Sequence, residues 1–219
     1  MPLTINQRAE WVFEQAQFCL LQRLSGGVLN VQNEASLQLQ FASILKVLGD
    51  VAVCKQSERF SIELEKNVIN SDALFQKSGS RRAKIDIWFS LEDHQEELSH
   101  RVAIELKFFK RTNHREPNNR ADYFKDLLNL ENYTEHADGC RMLLITDHTH
   151  YVDQGAYEHT ARDFDFRDGR EYRAGTELQY RAENPYCSPI TLDQDYRFIW
   201  DRLENNLFAL PIKVSPMEA

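Results

Sequence analysis

The chain has 219 residues, 42% of them hydrophobic and 27% charged, with a formal net charge of −8. That composition suits a globular core and argues against a protein that coats nucleic acid by bulk electrostatics, although a local basic groove is compatible with an acidic total. The start turns polar at once and no run approaches the roughly 20 apolar residues of a membrane span, so a soluble, cytoplasmic chain without membrane attachment is expected. Cys19, Cys54, Cys140 and Cys187 show no C-x-x-C spacing, which predicts reduced thiols rather than a zinc knuckle or redox pair.

From Asn6 to about Leu24 apolar residues recur at helical spacing until Gly26-Gly27. A second helix is expected from the Asn33 cap, with a stripe of Leu37, Phe41, Ile44, Leu45 and Leu48 and with Gly49 as its end. Residues 59–68 alternate as a half-buried strand, and 84–91 and 101–109 predict two more, the three forming a meander. Residues 122–133 read as a helix, and 141–147 as a near-continuous apolar strand buried on both faces. The segment from Tyr151 to about Arg181 is dense in Asp, Arg and Tyr and carries no assignable pattern. A final helix is expected through Phe198, Ile199, Leu203 and Leu207, broken by Pro211.

The second and third strands have one apolar face, Ile85, Ile87, Phe89 and Leu91 beside Val102, Ile104, Leu106 and Phe108. The other face collects Lys84, Asp86, Trp88, Ala103, Glu105, Lys107 and Phe109. If the loop closes between Glu96 and Glu97, Asp86 lies opposite Lys107 and diagonal to Glu105, about 5 Å and 7–8 Å apart at Cβ. Two carboxylates so spaced suit one hard cation such as Mg²⁺, and an adjacent lysine suits the charge of a phosphorane or the orientation or deprotonation of water. The alternative is a solvated face with an Asp86–Lys107 ion pair of small value. Trp88, Ala103 and Phe109 on the same face point to a partly covered cleft.

Asp86 followed by Glu105-Leu106-Lys107, in this order of elements, resembles the PD-(D/E)XK nuclease superfamily over roughly residues 30–147. The resemblance implies an α/β, restriction-endonuclease-like αβββαβ core, a mixed central sheet flanked by helices. The whole chain would be a single domain with an N-terminal helix at 6–24 and a C-terminal elaboration at 151–219. It further implies that Asp86 and Glu105 hold Mg²⁺, with Mn²⁺ as a substitute, that Lys107 is the catalytic lysine, and that the Leu106 carbonyl and Glu34 complete the ligand set. Glu34 is alternatively a first-turn acid favoured by the helix dipole. Ile85 stands where the family motif has proline.

Lys84, Lys110, Arg111, Arg115 and Arg120, with Lys77, Arg81 and Arg82, could rim the cleft and hold phosphates rather than read bases. Lys125 falls where similar nucleases place a polar site residue. His148 and His150 form an H-x-H pair without a third ligand. The expected function is a divalent-metal-dependent nuclease, a DNA endonuclease rather than an RNase, with a homodimer compatible with double-strand cutting. The alternative is a catalytically silent nucleic-acid-binding or assembly module of the same fold.

Overall fold

The computed structural model describes residues 2–68, 83–134 and 136–215. Lys77, Arg81 and Arg82 lie outside the described residues. Helix α1 (Ile5–Ser25) starts at a capping box in which the Gln7 N–H donates to the Thr4 hydroxyl and the Thr4 N–H donates to the Gln7 side chain. Helix α2 (Glu34–Ala52) is capped by Asn33, whose Oδ1 accepts the Ser36 N–H at 2.8 Å. The expected stop at Gly49 is not one. The helix runs three residues further, because Gly49 serves packing: a Cβ there would stand 2.3 Å from the Phe60 ring.

Strands β1 (Glu58–Val68), β2 (Ala83–Asp93) and β3 (Leu98–Phe109) form the expected antiparallel meander. Helix α3 (Glu116–Tyr133) then crosses to β4 (Gly139–Thr146), which runs parallel to β3 and is buried at every position, as its unbroken apolar run predicts. Helix α3 begins six residues before the expected start, with Pro117 in its first turn, where a missing N–H costs nothing.

The unassigned segment and the expected final helix resolve into short pieces: α4 (Thr149–Asp153), a 3₁₀ turn at His159–Ala161, β5 (Glu171–Tyr172), β6 (Glu177–Leu178), β7 (Ile190–Thr191), β8 (Tyr196–Arg197), β9 (Asp201–Arg202) and β10 (Phe208–Val214). No helix covers Phe198 to Leu207; Asn205 and Asn206 take φ of 61° and 57° and turn the chain between β9 and β10 instead. Pro211 lies inside β10 opposite Leu143. β9 covers β10 only at Phe208 and Ala209, so beyond them β10 is an edge, the setting that tolerates proline.

The result is an α/β arrangement with a mixed six-stranded sheet, ordered β1-β2-β3-β4-β10-β9 and flanked by helices. One face packs Ile87, Phe89, Leu91, Val102, Ile104 and Leu106 against α1 and α2. The other packs Trp88, Ala103, Phe109, Met142 and Leu144 under α3. Ile85 departs from its expected face and joins this second core. The C-terminal pieces pack aromatic rings onto α3, with Phe124 5.6 Å from Tyr172 and 5.8 Å from Phe198 between ring centroids. No helix among the described residues is long and apolar enough to cross a membrane.

Glu131 of α3 is buried where this aromatic layer docks, and accepts hydrogen bonds from the Tyr196 hydroxyl at 2.6 Å and the Asp193 N–H at 3.1 Å. Burial raises its carboxyl to about 7, although those two bonds act the other way. The folded state therefore holds a proton that the unfolded chain releases near the ordinary glutamate value. The stability from this group is fully present below about pH 4.5 and is lost as pH rises toward 7. Chemical denaturation at pH 5 and pH 8 is expected to show the wild type losing about 3 kcal/mol more than Glu131→Gln across that interval.

Candidate active site

Pairing between β2 and β3 runs from Asp93–Leu98 to Ile87–Ile104 and then ends. The register is two residues away from the expected one, because the turn is centred between Gln95 and Glu96. Continued one step, it sets position 86 opposite Glu105, not opposite Lys107. Past Ile104, β3 offers backbone N–H groups that β2 does not take up, and buried N–H groups require acceptors. Two carboxylates supply them. The Leu106 N–H donates to Asp86 Oδ2 at 2.7 Å, and the Phe108 N–H donates to Glu34 at the start of α2.

The other edge of β2 is also irregular here. The β1–β2 ladder passes from Leu64–Ile87 to Lys66–Ile85 without a Glu65–Asp86 pair, and Glu65 has a φ of 53°. The Asp86 carbonyl instead accepts from Gln38 Nε2 at 2.5 Å, which also reaches Glu65 Oε1 at 3.2 Å. Gln38 stands one turn after Glu34 on α2, so a single helix face supports both acids. The sequence reading missed it, although the i, i+4 spacing from Glu34 was the available signal.

Glu105 is fully buried and Lys107 nearly so, on the sheet face covered by α3 with Trp88, Ala103 and Phe109. The expected cover of this face is present, and a fully solvated face is excluded. Lys107 Nζ lies 2.5 Å from Asp126 Oδ2 of α3 and 3.8 Å from Glu34 Oε2. Burial opposes the ammonium charge, but Asp126, Glu34, Glu105 and Asp86 together outweigh it and hold the lysine well above its ordinary value. These acids favour the ammonium form of Lys107. Burial, helped by Asp86 and Asp126, raises Glu34 against the pull of Lys107 and the Phe108 N–H. The Tyr133 hydroxyl is raised by burial and by the charges of Glu105, Asp126 and Asp86.

Asp126 was also missed in the sequence. It shares a helical stripe with buried Leu130 and Tyr133 (i, i+4, i+7), whereas Lys125 shares one with Asp122, Asn129 and Asn132. Lys125 accordingly turns away from Lys107, 3.0 Å from Asp122 Oδ1 and 4.2 Å from the Tyr186 ring centroid. Arg120 is corrected too. It lies on a buried stripe of α3, ion-paired with Glu116, donating to the Gln154 carbonyl at 3.0 Å and stacked on Tyr151 and Phe166, so it cannot meet a phosphate.

Arg111 and Arg115 are exposed beyond β3, Lys110 donates to Gln32 Oε1 at 3.0 Å, and Lys84 stands 3.5 Å from Glu65. Leu106 sends its side chain into the α1–α2 core while its backbone stays beside Asp86. His150 stacks on Tyr157 and hydrogen-bonds Gln154, so the H-x-H pair is engaged locally.

No family model and no curated protein matches the chain. Among the described residues, no three His, Cys, Asp or Glu side chains form a cluster able to hold a metal ion. The donor chemistry nonetheless fits a hard cation, because Mg²⁺ is commonly held by one or two carboxylates with the rest of its octahedron water. Asp86 and Glu105 are the first residues of β2 and β3 past their last pair, Ile87–Ile104.

Arg120→Ala is expected to lower stability by about 3–5 kcal/mol, since it takes the guanidinium partner from the buried Glu116 carboxylate. Arg111→Ala and Arg115→Ala are expected to leave the unfolding midpoint in place, and urea denaturation of the three variants makes the comparison.

Proposed function

We propose that the chain is a divalent-metal-dependent nuclease hydrolysing phosphodiester bonds, most simply a DNA endonuclease of the PD-(D/E)XK type with a restriction-endonuclease-like core. The observation that supports this reading is the meeting of Glu34 and Asp126 at Lys107, two residues from buried Glu105, with Asp86 capping the Leu106 N–H at the parting of β2 and β3. Acids in excess of one ammonium form a charge distribution that a bound divalent cation relieves.

In this reading Asp86 and Glu105 would hold Mg²⁺ or Mn²⁺, with the Leu106 carbonyl and Glu34 as further oxygen donors. Such an ion supplies Lewis-acid polarisation of a phosphoryl oxygen and a water of lowered pKa. Lys107 contributes a positive charge that is already in place as negative charge develops on the phosphorane, so no reorganisation is needed at that moment. Exposed Arg111 and Arg115, with Lys110, contribute phosphate contacts that position the strand without reading its sequence. DNA is the favoured substrate, and a pair of chains would serve double-strand cleavage.

The rival reading is a silent nucleic-acid-binding module. It is favoured by the lack of a three-donor metal cluster among the described residues. Calorimetric titration separates the two, because a silent module binds neither Mg²⁺ nor Mn²⁺.

The direct trial is cleavage of plasmid and linear DNA with Mg²⁺ and with Mn²⁺. Asp86→Ala, Glu105→Ala and Lys107→Ala are each expected to slow cleavage by about 100-fold or more. Undiminished cutting by all three variants removes the proposed centre.

A further inference from the structure

We propose that Asp126 is a positioning residue for Lys107: from α3, across the face of the sheet, it fixes the ammonium over the site without itself holding the metal. The proposal rests on the nuclease reading and deepens it. Lys107 has two acidic neighbours of different character. Glu34 Oε2 is 3.8 Å away on a side chain 43% exposed, whereas Asp126 Oδ2 is 2.5 Å away on one only 3% exposed. The buried contact is the one that water does not screen, and it decides where the ammonium rests.

Both Asp126 oxygens are engaged. Oδ2 meets Lys107, and Oδ1 accepts from Asn129 Nδ2 at 3.4 Å, one turn fraction along the same helix. The carboxylate is therefore oriented by its own helix toward the lysine. The helix is fixed in turn, because Leu127, Leu130 and Tyr133 are fully buried under it. Asp86 and Glu34 differ: their oxygens cap β3 backbone N–H groups at the open end of the β2–β3 pair. Lysine's long stem reaches many positions, so an ammonium that must act at one point needs such a partner.

The test uses the full-length chain, a defined DNA duplex with Mg²⁺ for turnover, and Mn²⁺ titration for metal affinity. Asp126→Asn is expected to lower kcat by about 10- to 100-fold, with KM and Mn²⁺ affinity each held within about threefold. Asp126→Glu, which restores an anionic partner, is expected to recover part of that loss. Asn129→Ala removes only the orienting bond and is expected to lower kcat by about threefold, which keeps the question open to measurement should Asp126→Asn not fold. Wild-type kcat in both Asp126→Asn and Asn129→Ala overturns the proposal. A fall in Mn²⁺ affinity by more than about tenfold in Asp126→Asn also overturns it, by making Asp126 a ligand. A wild-type chain inactive on DNA and RNA with either metal overturns the nuclease reading itself, and this inference with it.

Discussion

Past Ile104 the β3 backbone continues for five residues along β4, while its pairing with β2 has already ended. Backbone N–H groups inside a sheet need acceptors, and here carboxylates from two other elements provide them: Asp86 for Leu106, and Glu34 for Phe108. At the other edge of β2, the missing Glu65–Asp86 pair leaves the Asp86 carbonyl to Gln38. The interrupted β2–β3 ladder therefore explains why acids from α2 and β2 meet at the carboxyl end of β3.

The gap alone would gather negative charge in a half-dry place. Lys107 offsets part of it, and α3 contributes both the cover and the closest counter-charge, Asp126. The lysine is held well above its ordinary value by these acids against the effect of burial, so they favour its ammonium form. Apolar cover by Trp88, Ala103 and Phe109 keeps the local dielectric low, which strengthens each of these interactions. The nuclease reading draws its chemistry from this combination of fixed charge and oxygen donors.

Much of this was legible in the chain. Period-two alternation puts Glu105 and Lys107 on one face of β3, and Asn33 marks the start of α2 beside Glu34, whereas in β2 the alternation breaks at Ile85, next to Asp86. Register was not legible, because the polar turn after Asp93 accepts either closure and only packing of the buried rows decides between them. Arg120 was hidden by the late start assigned to α3, whereas Asp126 lay inside the expected helix on the buried stripe of Leu130 and Tyr133, a signal that was available and went unread. The C-terminal part misled for a different reason. Its two-residue strands β5 to β8 are stabilised by distant partners, as Tyr172 is by Tyr196, so local periodicity carries little of their information.

The central claim is that Asp86 and Glu105, brought together where β2 and β3 part, share one hard cation. Anomalous scattering from a crystal soaked in Mn²⁺ addresses it without reference to any substrate. The account predicts a peak within coordination distance of both carboxylates, next to the Lys107 side chain. Full Mn²⁺ exposure with no peak at that place, or with peaks only elsewhere on the surface, contradicts it.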